Sequence, residues 1–198
     1  RSGRPCTNER TRFRFKTKND MKRLSVLLTA ALAALTLGSA AQVIGEPRED
    51  KDVRVKTGQP VPDFTVTMTD GSKIRMADLK GKVVVVNFWA TWCPPCRAEL
   101  ARVQKDIIDR FAGEEFLFLP ISRGETAATV EAFRKKTGYT FPMGLDPDKK
   151  IYPLFAATGI PRNFLVGRDG TIVGSEIGYS ATLFDQFCDR IEKLLKTK

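Results

Sequence analysis

The residues of this sequence best suited to chemistry are two cysteines, Cys93 and Cys96, separated by Pro94 and Pro95. Paired thiols can cycle between a dithiol and a disulfide, and so exchange electrons with other thiols. The chain contains no histidine, which excludes Ser–His and Cys–His catalysis and leaves a zinc or copper site short of ligands. The Cys-x-x-Cys pair is therefore the leading candidate for a reactive site.

The sequence on either side of the cysteines predicts how they are positioned. Residues 83–89, VVVVNFW, form an apolar, β-branched run typical of a strand buried on both faces. A helical pattern follows, with apolar residues at spacings of three and four: Leu100, Val103, Ile107 and Phe111. A helix N-terminus stabilises a nearby thiolate and lowers its pKa. Pro94 and Pro95 fit the first helical turn, where no N–H partner is lost.

A Cys-x-x-Cys motif also occurs in half of a zinc site or as a static disulfide. A zinc site needs further Cys or His ligands, but the sequence has no histidine and no second Cys-x-x-Cys pair. A static disulfide suits an oxidising compartment, but closing so short a loop constrains the unfolded chain little. Placement between a buried strand and a helix favours redox activity.

The first 41 residues are interpreted as an extension followed by a secretory signal peptide. Residues 1–20 are basic and polar, and we expect an upstream translated stretch or a disordered extension. Residues 21–41 combine a basic start, an uncharged apolar run and small residues, which predicts cleavage after Ala40 or Ala41. An uncleaved membrane anchor is the alternative, since the uncharged run reaches Gly45. Most of the formal net charge of +10 lies in this leader, so we expect no nucleic-acid partner.

The remaining chain is predicted to be a linker, residues 42–57, and one domain, residues 58–198. The domain opens with a hairpin turning at Asp70 and Gly71. We predict further strands at 115–122, 141–145, 163–166 and 171–177, and helices at 126–137, 148–157 and 181–195. This alternation, with an antiparallel hairpin near the end, predicts an α/β domain with a mixed sheet. Cys188 lies on the apolar face of the last helix and is predicted to be buried and inert.

Three motifs together resemble a known family. They are FWATWCPPC at residues 88–96, the dipeptide Ile160-Pro161, and the hairpin segment GQPVPDFTVTMTDG at residues 58–71. Across residues 58–198 the chain resembles the extracytoplasmic thioredoxin-like proteins of the TlpA/ResA family. The resemblance implies a thioredoxin fold with a mixed central sheet, an N-terminal β-hairpin and a helix–strand unit inserted at 126–145. It also implies disulfide exchange with other proteins.

The resemblance gives roles to individual residues. Cys93 matches the attacking cysteine, Cys96 the resolving cysteine, and Pro161 a cis-proline that packs beside them. Backbone next to that proline could pair with an extended substrate segment. We expect Trp92 to border the active site and Trp89 to lie partly in the core. The expected substrate-binding residues are Trp92, Pro94, Pro95, Ile160, Pro161 and Arg162.

Glu99 is the third candidate catalytic residue. It follows Cys96 by three residues and lies on the same side of the helix. Thioredoxins carry an aspartate six residues before the attacking cysteine, where this chain has Asn87. A glutamate at the position of Glu99 occurs in the ResA-like branch, and it could accept the proton of Cys96. The alternative is a solvated acid favoured only by the helix dipole.

Arg162 departs from the family pattern, which usually has threonine after the cis-proline. We expect its charge to add positive potential near the cysteines or to favour acidic partners.

We therefore expect an exported, periplasmic thiol–disulfide oxidoreductase that reduces disulfides of partner proteins, without cofactor or metal. We expect a membrane-bound electron donor, and contact with the membrane only if the leader stays uncleaved. One alternative is a peroxiredoxin-like peroxidase, disfavoured because Ala90 stands where a Thr or Ser is needed, three residues before Cys93. The other is a module that delivers a soft metal ion. The physiological partner stays open, with cytochrome c maturation among the roles considered.

Overall fold

The computed structural model describes residues 50–197. The predictions made for the leader, and for the linker as far as residue 49, lie outside these residues. Among the helices of the described part, none is both long enough and apolar enough to cross a membrane.

The described residues contain seven strands and four α-helices. The strands are β1 Thr65–Met68, β2 Lys73–Arg75, β3 Val83–Trp89, β4 Phe116–Arg123, β5 Gly144–Asp146, β6 Arg162–Val166 and β7 Ile172–Ile177. The helices are α1 Pro94–Val103, α2 Ala127–Thr137, α3 Tyr152–Phe155 and α4 Ala181–Lys196. A 3-10 turn, Met76–Leu79, precedes β3, and α1 continues as a π-helical segment, Gln104–Asp109.

The strands form one mixed sheet in the order β2-β1-β5-β4-β3-β6-β7. The central strand β3 runs parallel to β4 and antiparallel to β6. β5 continues the parallel part beside β4, while β1, β2 and β7 pair antiparallel with their neighbours. The predicted α/β class with a mixed sheet and an N-terminal hairpin is confirmed.

Strand β3 is buried along its whole length, as its apolar run predicts. Side chains on a strand alternate between the two faces. Val83, Val85 and Trp89 therefore pack with α1, α2 and α4 on one face. Val84, Val86 and Phe88 pack with α3 and the N-terminal hairpin on the other. Asn87 falls on the α1 side, which matters for the site described below.

Two predicted elements are shorter in the structure. The helix expected at 148–157 is reduced to α3, because the chain turns at 147–148 and stays irregular up to 151. Asp146 fixes that turn by accepting hydrogen bonds from the backbone N–H groups of Lys150, Ile151 and Tyr152. The strand expected at 141–145 begins only at Gly144, since Pro142 has no N–H to contribute to a ladder.

Residues 50–57 were predicted to be linker, but they pack on the domain. Val53 forms a β-bridge with Ala156, the Arg54 N–H donates to the Phe155 carbonyl at 2.8 Å, and Val55 is buried. The compact unit therefore begins at Asp50 rather than near Gly58. The polar composition of this segment concealed its pairing, because backbone hydrogen bonds do not depend on side-chain type.

Candidate active site

Cys93 and Cys96 form a disulfide where the chain passes from β3 into α1, with Cα atoms 5.3 Å apart. Cys93 is the N-cap of α1, and Pro94 and Pro95 fill the first two helical positions. The backbone N–H of Cys96 points at Cys93 Sγ, with N and Sγ 3.3 Å apart. A helix N-terminus and one N–H therefore lie beside the sulfur that would carry negative charge after reduction.

The two cysteines differ slightly in burial. Cys93, which precedes the helix, retains 3% of its surface, whereas Cys96, within the first turn of α1, is fully buried. Cys93 is therefore the cysteine that lies closer to the surface.

The loop that enters β6 lies against Cys93. The Ile160–Pro161 peptide bond is cis, and the Ile160 carbonyl oxygen is 3.8 Å from Cys93 Sγ. The Pro161 carbonyl accepts a hydrogen bond from the Gly178 N–H at 2.8 Å, which ties the loop to the end of β7. The backbone at Ile160 and Pro161 thus lies beside the sulfur of Cys93.

The two tryptophans have different surroundings. Trp92, directly before Cys93, is 65% exposed and is the most exposed large apolar side chain of the described residues. Trp89 is fully buried and packs on Phe133, with ring centroids 5.3 Å apart. Trp92 therefore offers apolar surface next to the disulfide, while Trp89 belongs to the core.

Glu99 is buried, and two asparagines donate hydrogen bonds to its carboxylate. Asn163 Nδ2 donates to Glu99 Oε1 at 2.5 Å, and Asn87 Nδ2 donates to Glu99 Oε2 at 3.1 Å. Asn87 Nδ2 also donates to Asn163 Oδ1 at 2.9 Å. The two asparagines face each other in the β3–β6 ladder. Glu99 is thus enclosed in a polar cluster, unlike the solvated acid considered above.

The pKa of Glu99 is raised from 4.5 to about 7. Burial is the main cause, because it disfavours the charged carboxylate. The hydrogen bonds from Asn163 and then Asn87 act in the opposite direction, since they stabilise the charge. A carboxyl group with this pKa can both bind and release a proton near neutral pH.

The expectation for Arg162 is wrong, because the side chain is fully buried. Its guanidinium group forms an ion pair with Asp50 through both carboxylate oxygens, and its Nε donates to the Thr158 carbonyl at 2.8 Å. Arg162 therefore does not present its charge to a partner. The Asp50 carboxylate neutralises this charge from a segment that the sequence pattern assigned to the linker.

Glu125 was not singled out from the sequence, yet it fixes the turn that leads into Cys93. Its carboxylate accepts hydrogen bonds from the N–H and hydroxyl of Thr91 at 2.9 and 2.5 Å, and from the Ser122 hydroxyl at 2.6 Å. The position of Glu125 in the sequence is a signal that could have identified it. Glu125 follows β4, and the ends of parallel strands β3 and β4 meet at the same sheet edge.

Cys188 lies in α4 and is not part of a disulfide. It is buried, and burial raises the pKa of its thiol to about 11. The thiolate is the reactive form of cysteine, so Cys188 is unreactive at neutral pH, as its position on an apolar helix face indicates.

The fold and the disulfide define a thioredoxin-fold thiol–disulfide oxidoreductase, and comparison with known proteins agrees. The AhpC/TSA family model matches residues 57–175, so the chain belongs to the AhpC/TSA family. It is 32% identical to the thiol–disulfide oxidoreductase ResA of Bacillus thuringiensis (strain Al Hakam) over 147 residues, which cover 74% of this chain and 80% of the relative.

Solved structures show the same relationship. The solution structure of a candidate protein disulfide isomerase from Bacteroides thetaiotaomicron is 38% identical, with a TM-score of 0.69. The aligned region covers 73% of this chain and 93% of the Bacteroides chain. The crystal structure of the pneumococcal exposed lipoprotein thioredoxin Etrx1, from Streptococcus pneumoniae strain TIGR4, is 26% identical with a TM-score of 0.55. The aligned region covers 67% of this chain and 100% of the pneumococcal chain.

Proposed function

We propose that this protein reduces disulfide bonds of other proteins outside the cytoplasm, with Cys93 as the attacking and Cys96 as the resolving cysteine. The observation that carries the proposal is the placement of Cys93. Cys93 is the less buried of the two cysteines, and its sulfur lies at the N-terminus of α1 with the Cys96 N–H at 3.3 Å. These features favour a thiolate at Cys93. Cys96 is then the cysteine that attacks Cys93 in the mixed disulfide.

The reaction begins from the reduced protein. The Cys93 thiolate attacks one sulfur of the substrate disulfide, forming a mixed disulfide and releasing the other substrate sulfur as a thiolate. Cys96 then loses its proton and attacks Cys93 Sγ, which expels the second substrate sulfur. Two electrons pass to the substrate, and the protein is left with the Cys93–Cys96 disulfide seen in the structure. A dithiol donor must reduce this disulfide before the next cycle, and we propose that this donor is membrane-bound.

Glu99 is the proposed acceptor of the Cys96 proton. It lies one helical turn beyond Cys96, is shielded from solvent, and has a pKa of about 7. A general base is most effective when its pKa lies near the working pH. The Asn87 and Asn163 side chains support this role, because they hold the carboxylate oxygens in place.

The proposed direction, reduction of the substrate, is supported by the two prolines. A thiolate at Cys93 gains stability from nearby N–H donors, and Pro94 and Pro95 have none. The Cys96 N–H supplies one donor, and the exposed charge of Arg97 adds little because solvent screens it. A dithiol form that is only moderately stabilised gives up its electrons readily.

The proposed contact surface for substrates consists of Trp92, the two prolines of the motif, Ile160 and Pro161. Trp92 and the prolines are exposed, and an extended substrate segment could pair with backbone at Ile160. Arg162 is not part of this surface, because its side chain is fully buried. The proposed location outside the cytoplasm is supported by the signal-like pattern of residues 21–41, and by the likeness to a protein described as an exposed lipoprotein.

Trapping of the mixed disulfide tests this proposal. In Cys96→Ser the resolving thiol is absent, so the substrate should stay bound to Cys93 and be identifiable by mass spectrometry of the linked peptides. Cys93→Ser is the matched control and should trap nothing, and Cys188→Ser should behave as wild type. Trapping through Cys96 in the Cys93→Ser variant, or an equal yield from both variants, would contradict the assignment.

A further inference from the structure

The loop beside Cys93, residues 156–161, is held in place by groups outside it. We call it the substrate loop. The Tyr152 hydroxyl donates to the Gly159 carbonyl at 2.6 Å, and Arg162 Nε donates to the Thr158 carbonyl at 2.8 Å. The Gly178 N–H holds the Pro161 carbonyl. Between these fixed carbonyls, that of Ile160 faces Cys93 Sγ.

The buried charge of the Arg162 side chain is neutralised by Asp50, the first residue that the structure describes. The side chain is fully buried, and its guanidinium group is paired in bidentate fashion with Asp50, a geometry that is strong and directional. A buried guanidinium group that loses its carboxylate partner is left with an uncompensated charge. Asp50 therefore determines whether Arg162 can stay in the position from which it holds Thr158.

Further contacts join the same two segments. We call residues 50–55 the N-terminal strap. Thr158 Oγ1 donates to Asp52 Oδ2 at 2.5 Å, the Ala157 N–H donates to the Asp52 carbonyl at 2.8 Å, and Val53 bridges to Ala156. The strap thus runs antiparallel along the start of the substrate loop, and two of its acids bind side chains of that loop and of β6.

We propose that Asp50 is a positioning residue for disulfide exchange with polypeptides. Through Arg162 it holds the substrate loop, and with it the Ile160 backbone, in the geometry that an extended substrate needs beside Cys93. Asp50 touches none of the reacting atoms, so a small disulfide that makes no backbone contacts does not require it. This inference rests on the proposed function, and it assigns the protein's selectivity for polypeptide disulfides to the contact of Asp50 with Arg162.

The test compares two disulfides on the full chain. Mixed-disulfide formation by the reduced protein is followed by stopped-flow tryptophan fluorescence, with a cystine-bridged peptide dimer and with hydroxyethyl disulfide. Asp50→Ala should slow the peptide reaction about tenfold, equivalent to ~1.4 kcal/mol, and leave the hydroxyethyl disulfide reaction unchanged. Sodium acetate should restore the peptide rate by supplying a carboxylate to Arg162, whereas sodium chloride at equal ionic strength should not.

Asp63→Ala is the matched control, because Asp63 is an exposed acid paired with Arg75 on the N-terminal hairpin. It should leave both rates at the wild-type value. An unchanged peptide rate in Asp50→Ala, an equal loss with both disulfides, or a folded variant without acetate rescue would overturn the proposal. If Asp50→Ala does not fold, Asp50→Asn, which keeps the size of the side chain but removes its charge, decides by the same ratio of the two rates. A wild-type protein inactive on both disulfides would instead count against the proposed function.

Discussion

Glu99 and Asn163 meet inside the domain, with Asn163 Nδ2 2.5 Å from Glu99 Oε1. Asn163 lies on β6, two residues after the cis-proline, and Glu99 lies on α1, three residues after Cys96. The contact therefore joins β6, the strand that follows the loop beside Cys93, to the helix that begins at the two cysteines. Asn87, on the central strand, bonds to both partners and fixes the distance between helix and sheet.

Replacing Glu99 by glutamine should slow the second step of disulfide exchange. Gln keeps the size of the side chain but cannot accept the Cys96 proton, so resolution of a preformed mixed disulfide at pH 7 should slow by about a hundredfold, the lower end of general-base effects. The first step, attack by Cys93, should be unchanged. Stopped-flow release of thiol measures both steps. Glu114→Gln, at an exposed acid, is the control, and an unaffected second step would remove Glu99 from the mechanism.

The raised pKa of Glu99 also predicts how stability depends on pH. Between the unfolded value of 4.5 and the folded value of about 7, the native state binds a proton that the unfolded chain has lost. The free energy of unfolding should therefore fall as pH rises through this window, by ~3 kcal/mol in total, and then level off. Glu99→Gln should lack this decline. Denaturant unfolding of the oxidised proteins from pH 4.5 to 8 measures both curves, and parallel curves would refute the burial argument.

Removing the Asn163 amide should move the Glu99 titration to higher pH. Its hydrogen bond lowers the pKa of Glu99, so Asn163→Ala leaves the carboxylate less stabilised. The decline in stability should then extend above pH 7, and the pH midpoint of the resolution step should rise. Asn87→Ala should shift both in the same direction. A downward shift in either variant would show that the asparagines do not stabilise the charged form.

The sequence was sufficient for the parts of the site that depend on neighbours along the chain. The strand at Val83–Trp89, the turn, and the helix that begins at the cysteines follow from local hydrophobic pattern and proline placement. The position of Glu99 three residues after Cys96 fixes its side of the helix. Such features need no knowledge of how distant segments pair.

The remaining parts depend on contacts between distant segments. Asn163 reaches Glu99 only because β6 pairs with β3 in a register that sets Asn163 opposite Asn87. Both strands are buried along their whole length, so they lack the alternation of polar and apolar residues that would indicate this register. Arg162 is buried only because Asp50, 112 positions earlier, supplies its counter-ion. A lone arginine after a proline looks exposed until that partner is known, since unpaired charges are almost never buried.

Adding an N–H donor between the cysteines should make the pair more oxidising. Pro95→His restores a backbone N–H and adds an imidazole near Cys93, and both stabilise the thiolate of the reduced form. The reduction potential should therefore rise relative to wild type in a titration against glutathione. Lys73→His, on the exposed strand β2, is a control that should leave the potential unchanged. A lower reduction potential in Pro95→His would show that N–H donors near Cys93 do not determine the reduction potential of the cysteine pair.

The reduction potential of the wild-type Cys93–Cys96 pair tests the central claim, that this protein gives electrons to its substrates. It can be measured by equilibrating the full chain with glutathione or thioredoxin buffers and quantifying the two forms by thiol alkylation. With Pro94 and Pro95 between the cysteines, the account predicts a value close to that of thioredoxin, about −270 mV. A value as oxidising as that of DsbA, about −120 mV, would contradict the assignment as a reductant.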